Sequence, residues 1–390
     1  KKANVVSVKN DVLYCVVPKG AYGDEVEVSA CDDEGEEIAY GVAESKFTYK
    51  KQWLVTTIAG QRFEDWKDAV ETEGSFDNCG YMEGITWFAF DPKSKFDIMY
   101  ITSADKGPVR KVNFANETVE FLSHISYSTE RPTTISWTPD EKQDMIVTRD
   151  LKSAGNVNIV YSRVSGFTEK VDLESTLGKL EAGNAAMVHP DGQLYYTAYK
   201  TQEIYRYDFA TKETTTVSKH VKTNENLRFA LHPSGKYAYM MRLYYKNNNS
   251  GYIARLDYDD EAKTFGIPYI VAGSDGSTGY KDGVGSTVRM QGPGQGVFVK
   301  NPDYAGEEDE YDFYFTDDLN NCVRVLTPAG RVYTFAGRGN DIATGGYADG
   351  ALRTEARFDR PWAIAYDEKR GCFYVGERNN KVIRKIALEE

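Results

Sequence analysis

Two segments near the C-terminal end of the chain carry the same order of residues. Residues 271–299 read VAGSDGSTGYKDGVGSTVRMQGPGQGVFV, and residues 335–365 read FAGRGNDIATGGYADGALRTEARFDRPWAIA. Each segment begins with an apolar run that ends in Ala-Gly, continues with a GYxDG element and closes with a second apolar run. The stretches that follow are also alike, because residues 314–325 (YFTDDLNNCVRV) parallel residues 374–385 (YVGERNNKVIRK). Internal repetition of this kind predicts a repeat architecture.

Extending the repeat toward the N-terminus predicts six cycles of four strands. Each cycle starts with an apolar strand that ends in a polar turn and continues with an aromatic-rich second strand, followed by two more strands. The six predicted first strands are residues 85–91, 133–140, 185–190, 227–233, 296–303 and 363–367. The sixth cycle has no fourth strand of its own, because the chain ends at Glu390 soon after the third.

A candidate for the missing strand lies at the other end of the repeat region. Residues 54–60 (LVTTIAG) repeat the fourth-strand phrase that ends in Ala-Gly, yet they precede the first cycle. Placed beside residues 382–386, this strand completes the last blade and closes a ring, so that no blade edge is left open. The pattern predicts an all-β protein with a six-bladed β-propeller over residues 53–390.

Three phrases of the repeat resemble the NHL family of β-propellers. They are GYxDG, ARFxxP and NNxVIRK, and the match to the family is specific in the first, fifth and sixth cycles, with residues 66–68 as a weaker copy of the first phrase. The second to fourth cycles depart from these phrases and carry turns such as HPDG at residues 189–192. The resemblance implies an NHL-like propeller, and the repeat glycines are interpreted as turns.

Residues 1–50 have a different pattern from the rest. Short strands such as VVSV at residues 5–8 and EVEVSA at residues 25–30 alternate with turn segments, which is typical of a small β-sandwich. Their order resembles the C-terminal part of an IPT/TIG domain, an immunoglobulin-like module, with its other strands expected before Lys1. A partial Ig-like module followed by a propeller resembles uncharacterised bacterial cell-surface proteins.

Composition disfavours several classes of partner. The chain has 47 Lys and Arg against 59 Asp and Glu, a net charge of −12, which opposes binding to nucleic acid or to an anionic membrane. No apolar run has the roughly 18 residues that a membrane span needs. The five cysteines are scattered without a CxxC pair, and their interpretation is small buried apolar residues.

Motifs for catalysis are not found in the sequence. There is no GxSxG, P-loop or HExxH sequence, and two of the four histidines, His189 and His232, occupy equivalent turn positions of the repeat. We therefore predict no catalytic residue, no cofactor and no bound metal. Some NHL-like propellers are lyases or lactonases with a metal on the axis; here carboxylates such as Asp317 or Glu377 would have to hold it.

The best candidate for a binding surface is one face of the propeller. Loops that lead into first strands and loops that join second to third strands share a face around the axis, which we call the loop face. Aromatic rings together with Arg, Asp and Asn side chains suit the recognition of a glycan or an extended protein segment. The residues placed there by alignment of the repeats are Trp87, Arg131, Arg149, Asp150, Tyr199, Arg228, Arg242, Gln295, Asp317, Asn320, Arg360, Trp362, Glu377 and Arg378. For each tryptophan, packing between blades remains an alternative.

The sequence thus favours a non-enzymatic binding protein outside the cytoplasm, at a bacterial cell surface or in the periplasm. Its expected partner is a glycan or a surface protein. Two alternatives stay open: a metal-dependent hydrolase or lyase with an axial site, and a structural adhesion or scaffold module.

Overall fold

The computed structural model describes residues 3–9, 12–16, 23–48, 51–61, 70–103, 107–180, 182–201, 203–218, 226–242 and 251–389. The chain divides into two compact units, one formed by Lys1–Leu54 with Ala387–Glu390 and the other by Val55–Ile386. The weak GYxDG copy at residues 66–68 lies outside the described residues.

The first unit contains three antiparallel pairs of short strands. The pairs are β1 (Asn4–Lys9) with β2 (Val12–Val16), β3 (Gly23–Asp24) with β6 (Phe47–Thr48), and β4 (Glu27–Cys31) with β5 (Glu37–Val42). The turn between β4 and β5 is held by Asp32, whose Oδ1 accepts from the main-chain N–H groups of Glu34 and Glu36. The predicted Ig-like sandwich and its boundary at residue 50 stay predictions.

The second unit is a six-bladed β-propeller, as the sequence predicts. Strand β7 is Trp53–Ala59. Blade 1 contains β8 (Gly74–Ser75), β9 (Ile85–Phe90), β10 (Ile98–Ser103), β11 (Pro108–Asn113) and β12 (Thr118–Ser126). Blade 2 contains β13 (Pro132–Trp137), β14 (Met145–Arg149), β15 (Asn158–Tyr161) and β16 (Lys170–Asp172). Blade 3 contains β17 (Gly183–Val188), β18 (Gln193–Ala198), β19 (Ile204–Asp208) and β20 (Thr214–Ser218).

Blades 4 to 6 complete the propeller. Blade 4 contains β21 (Leu227–Leu231), β22 (Tyr237–Arg242), β23 (Gly251–Asp259), β24 (Thr264–Phe265) and β25 (Tyr269–Ser274). Blade 5 contains β26 (Gly283–Val284), β27 (Pro293–Lys300), β28 (Tyr311–Asp317), β29 (Cys322–Leu326) and β30 (Arg331–Gly337). Blade 6 contains β31 (Gly350–Ala351), β32 (Pro361–Asp367), β33 (Cys372–Glu377) and β34 (Ile383–Leu388). Short 3-10 turns cover Gly285–Thr287, Pro302–Tyr304, Asp318–Asn320 and Gly339–Asp341.

Strand β7 closes the ring. Blade 6 has the strand order β31-β7-β34-β33-β32, so the N-terminal strand pairs with the last strand of the chain. The predicted closure is confirmed. Blades 1, 5 and 6 also carry a two-residue outer strand, β8, β26 or β31, which the prediction of four strands did not include. In blades 5 and 6 this outer strand directly follows the Asp of the GYxDG element.

The core of the propeller lies between neighbouring blades. First strands contact one another in cyclic order, from β9 through β13, β17, β21 and β27 to β32 and back to β9. Apolar clusters fill the gaps between blades; for example Tyr195 of blade 3 packs with Phe229 and Leu256 of blade 4. Cys79, Cys322 and Cys372 are buried as predicted, whereas Cys15 and Cys31 are exposed. Within the described residues no helix has the length and hydrophobicity required to cross a bilayer.

Candidate functional site

The structure places the loop-face residues at the starts of first strands next to the loop-face residues at the ends of second strands. The start of a first strand pairs with the end of the second strand, as in Pro132 with Arg149, Leu227 with Arg242 and Pro361 with Glu377. This antiparallel register is why both sets lie at one end of each blade. The role of these residues in ligand binding stays a prediction.

Asp317 and Glu377 are enclosed in ion pairs inside their own blades. Asp317 Oδ2 lies 3.0 Å from Arg324 Nη1, and Glu377 Oε1 lies 2.6 Å from Arg384 Nη1. Each of these four side chains is 0% exposed. Burial raises the pKa of Glu377 to about 7, although the charge of Arg384 and hydrogen bonds from Arg384, Asn380 and the Asp359 main chain act in the opposite direction. Their carboxylates therefore face arginines and not the surface of the loop face.

The same arginines hold the GYxDG element. Arg324 Nη2 lies 2.8 Å from Asp282 Oδ1, and Arg384 Nη2 lies 2.6 Å from Asp349 Oδ1. In blade 1 the equivalent Arg110 contacts Glu71. Each pair links the third strand to the outer edge of its blade, which explains why the Arg and the Asp recur together in the sequence.

Most other charged residues predicted for the loop face are also paired. Ion pairs join Arg131 to Asp150, Arg149 to Glu130, Arg242 to Asp275, and Arg360 to Asp318. The partners Glu130, Asp275 and Asp318 were not among the predicted residues, because their positions vary from blade to blade.

The remaining loop-face residues have mixed environments. Trp362 is partly buried and lies under Arg378, whose Cζ is 4.6 Å from the centre of its ring. Asn320 Nδ2 donates to Asp317 Oδ2 at 2.8 Å and to Gly279 O at 2.8 Å. The main-chain N–H of Tyr199 donates to Ala182 O at 2.8 Å. The Asn320 amide is thus held by hydrogen bonds within the fold, whereas Trp362 and Arg378 form a cation–π pair.

Gln295 and Arg228 lie at the propeller axis. The Gln295 amide pairs with the inner edge of β9, because its Oε1 accepts from Phe88 N and its Nε2 donates to Phe88 O, both at 2.8 Å. Arg228 Nη1 donates to the carbonyls of Asn184 and Leu227 at 3.1 and 2.8 Å. No carboxylate of the described residues lies within ion-pair distance of Arg228.

A cavity on the axis was not predicted from the sequence. It has a volume of about 470 Å³ and is lined by the C-terminal halves of the first strands of blades 1 to 5. Its wall is mostly apolar, and the first strands of blades 1, 2, 4 and 5 contribute aromatic residues to it, including Trp87, Phe90, Trp137, Phe229 and Phe298. We call it the axial cavity. Its residues follow Arg228 and Gln295 along their strands, so it lies on the opposite side of them from the loop face. The aromatic residues toward the ends of first strands are the sequence signal from which it could have been predicted.

Metal-ligating side chains do not cluster in the described part of the chain. No three His, Cys, Asp or Glu side chains there are close enough together to hold a metal ion. Asp317 and Glu377, which the hydrolase alternative would use, are engaged by Arg324 and Arg384.

Three solved Bacteroides structures resemble the chain over its whole length. An auxiliary nutrient binding protein from Bacteroides thetaiotaomicron VPI-5482 is 42% identical with a TM-score of 0.88, and the alignment covers 100% of this chain and 89% of that one. An auxiliary nutrient binding protein from Bacteroides ovatus ATCC 8483 is 39% identical with a TM-score of 0.81 and the same coverage. The chain belongs to the family of these Bacteroides propeller proteins.

A third member of this Bacteroides family is described as a putative phosphatase. It comes from Bacteroides thetaiotaomicron VPI-5482, is 31% identical with a TM-score of 0.83, and the alignment covers 100% of this chain and 89% of that one. No protein-family model matches the chain, and no curated protein matches it at a significant level.

Proposed function

We propose that this protein is a non-enzymatic binding protein that acts outside the cytoplasm and holds a nutrient glycan in its axial cavity. The observation that carries the proposal is the cavity itself, whose volume of about 470 Å³ lies in the range of small-molecule sites. The family relation supports a binding role, because two relatives, 42% and 39% identical, are described as auxiliary nutrient binding proteins.

The chemistry of the cavity wall suits a sugar. Phe90, Trp137 and Phe298 are partly exposed there, and their rings offer flat apolar surfaces for the C–H faces of a pyranose. First strands are the inner edges of the blades, so main-chain N–H and C=O groups face the axis. Gln295 already hydrogen-bonds to the main chain of such an edge at Phe88. The hydroxyl groups of a sugar would hydrogen-bond to the edges of other blades in the same way.

The predicted family relations are part of this proposal. An NHL-type repeat is supported by the shared contact of Asp282 with Arg324 and of Asp349 with Arg384, which explains the GYxDG and NNxVIRK phrases together. The IPT/TIG-like module of residues 1–50, the propeller boundary at residue 53 and a place at the cell surface or in the periplasm complete the proposal.

The experiment is a titration of the full chain with a panel of neutral oligosaccharides, followed by tryptophan fluorescence and calorimetry. Trp137→Ala removes an indole from the axial cavity, and Trp362→Ala removes one from the loop face, so the two variants are a matched pair. We expect Trp137→Ala to weaken binding about tenfold or more, which is about 1.4 kcal/mol. Trp362→Ala is expected to keep the wild-type affinity.

Two results contradict the proposal in different ways. Loss of affinity in Trp362→Ala with unchanged affinity in Trp137→Ala would move the site to the loop face and reject the axial cavity. Absence of binding to every oligosaccharide, with both variants folded, would reject the glycan-binding function.

A further inference from the structure

Arg228 is a buried cation without an acidic partner among the described residues. It is 6% exposed, and its Nη1 donates only to the carbonyl oxygens of Asn184 and Leu227. Its Nε is buried and makes no hydrogen bond, and no carboxylate of the described residues lies within ion-pair distance. Because a buried charge is unfavourable without a counter-charge, this arrangement requires an explanation.

The buried arginines on the third strands of blades 5 and 6 are compensated by carboxylates. Arg324 binds Asp317 and Asp282, and Arg384 binds Glu377 and Asp349. Carboxylates neutralise both of these arginines, whereas Arg228 donates only to main-chain carbonyls, as does Arg338 at a similar burial.

Arg228 is also not an element of the repeat. It pairs with Met241 in blade 4, and the residue with the same register in blade 6 is Ala363, which pairs with Gly376. The repeat does not require an arginine at this position, so its presence is specific to blade 4.

The nearest charges leave an excess of positive charge. Asp150 acts on Arg228 through space, but its carboxylate is already bound by Arg131, with Oδ2 2.6 Å from Nη2. Burial lowers the pKa of Arg228 to about 10, so the side chain is still cationic at neutral pH. Arg131, Asp150 and Arg228 together carry a net charge of one positive unit.

The free part of the guanidinium has the geometry of an oxoanion site. Nη1 is occupied by two carbonyl oxygens, which leaves the edge formed by Nε and Nη2. Two parallel N–H donors on one edge match the two oxygens of a carboxylate or phosphate. Arg228 lies on the inner strand β21 of blade 4, and the next residue of that strand, Phe229, lines the axial cavity.

We propose that Arg228 binds an oxoanion of the ligand, so that the preferred ligands are acidic sugars. This inference rests on the proposed binding function and specifies its ligand class. The oxoanion is the carboxylate of a uronic acid or the phosphate of a sugar phosphate. It supplies the counter-charge that the described residues do not.

The experiment compares glucuronate, glucose 6-phosphate and glucose as probes of the full chain by calorimetry. In parallel, NMR follows the Arg228 Nε–H signal, assigned by its loss in Arg228→Lys. We expect at least one acidic probe to bind about tenfold or more tightly than glucose and to shift this signal. Binding of glucuronate alone identifies a carboxylate site, and binding of glucose 6-phosphate alone identifies a phosphate site; either result supports the proposal.

Variants separate a ligand contact from a structural role. Arg228→Met is expected to lose the preference for acidic probes and to raise the melting temperature of the unliganded protein, because an uncompensated buried charge is removed. Arg228→Lys keeps the charge without the two-donor edge and is expected to lose most of the preference. It is the variant to use if Arg228→Met does not fold. Arg331→Met, a matched change at an exposed strand residue, is expected to bind like the wild type.

The proposal is overturned if the acidic probes bind no more tightly than glucose, or if Arg228→Met or Arg228→Lys keeps the preference. Neutral oligosaccharides are titrated into the same variants. If they bind while the acidic preference is absent, the oxoanion site fails and the glycan-binding function stands. If no neutral oligosaccharide binds but glucuronate still shifts the Arg228 signal, the oxoanion site stands and the binding of neutral glycans is rejected.

Discussion

Three equivalent buried arginines make one substitution a test of how charge is compensated in this propeller. Arg110, Arg324 and Arg384 are each 0% exposed and occupy the same position in the third strands of blades 1, 5 and 6. Replacing each of them by Met keeps much of the side-chain volume and removes the charge. The three variants therefore differ mainly in what the lost arginine leaves behind.

The structure predicts unequal effects. Arg324 makes four hydrogen bonds through Nη1 and Nη2, two of them to carboxylates, and so does Arg384. Their removal leaves Asp317 or Glu377 buried without a cation. Breaking such a pair costs about 3–5 kcal/mol of unfolding free energy.

Arg110 is held much less completely. Its Nη2 contacts Glu71 and Glu83 O, but its Nε and Nη1 have no partner, and burial lowers its pKa to about 9. Ser103 occupies the position at which blades 5 and 6 have the buried acid. Replacing Arg110 therefore leaves no buried carboxylate at that position. We expect Arg110→Met to change the unfolding free energy by no more than about 1 kcal/mol.

The assay is urea-induced unfolding, followed by fluorescence and by circular dichroism to check that the two transitions coincide. With a slope of about 3 kcal/mol per molar urea, a difference of about 3 kcal/mol separates the midpoints by about 1 M. Arg331→Met serves as the exposed control and is expected to stay within about 0.5 kcal/mol of wild type. An Arg110→Met variant as destabilised as Arg324→Met would refute the reasoning.

Two further predictions concern blade 6. The folded-state pKa of Glu377 is raised from 4.5 to about 7, so its contribution to stability is present below pH 4.5 and is lost as the pH rises through about 7. One pKa unit corresponds to about 1.36 kcal/mol, so the unfolding free energy of wild type minus that of Glu377→Gln should fall by up to about 3 kcal/mol as the pH rises from 4.5 through about 7. A difference that does not change with pH would contradict this prediction. Val55 is buried inside the closing strand β7, so Val55→Pro should lower the unfolding free energy by more than about 3 kcal/mol in thermal melts. Thr56→Ala, at the exposed neighbouring residue, is the control, and equal stability of the two variants would contradict closure by β7.

Strand positions in the propeller could be predicted because apolar periodicity is a local signal. The predicted first strand at residues 85–91 corresponds to Ile85–Phe90, and that at residues 363–367 to Pro361–Asp367. The short outer strands Gly283–Val284 and Gly350–Ala351 were missed, because a two-residue strand rich in glycine has no periodic pattern. Glu37–Val42 was missed in the first unit, where the alternation of apolar residues is weak.

The candidate site could be predicted only in part. Alignment of the repeats places loop-face residues at the ends of their strands, but it carries no information on which charges are already compensated. The pairing of Arg360 with Asp318 joins blade 6 to blade 5, and the pairing of Gln295 with Phe88 joins blade 5 to blade 1. Contacts of this kind connect residues that lie far apart in the sequence.

The sequence by itself determined the repeat, the number of blades and the closure of the ring by residues 54–60. Each of these depends on patterns within a segment, or on the comparison of one segment with its copy. Only the tertiary structure decided that Asp317 and Glu377 are buried in ion pairs, that Arg228 has no acidic partner among the described residues, and that five first strands, four of them with aromatic residues, surround a cavity. The physical reason is that burial and charge compensation depend on which side chains the fold brings into contact, within one blade for Asp317 and Glu377 and between blades for Arg228 and the cavity, and the pattern of a single segment does not contain those contacts.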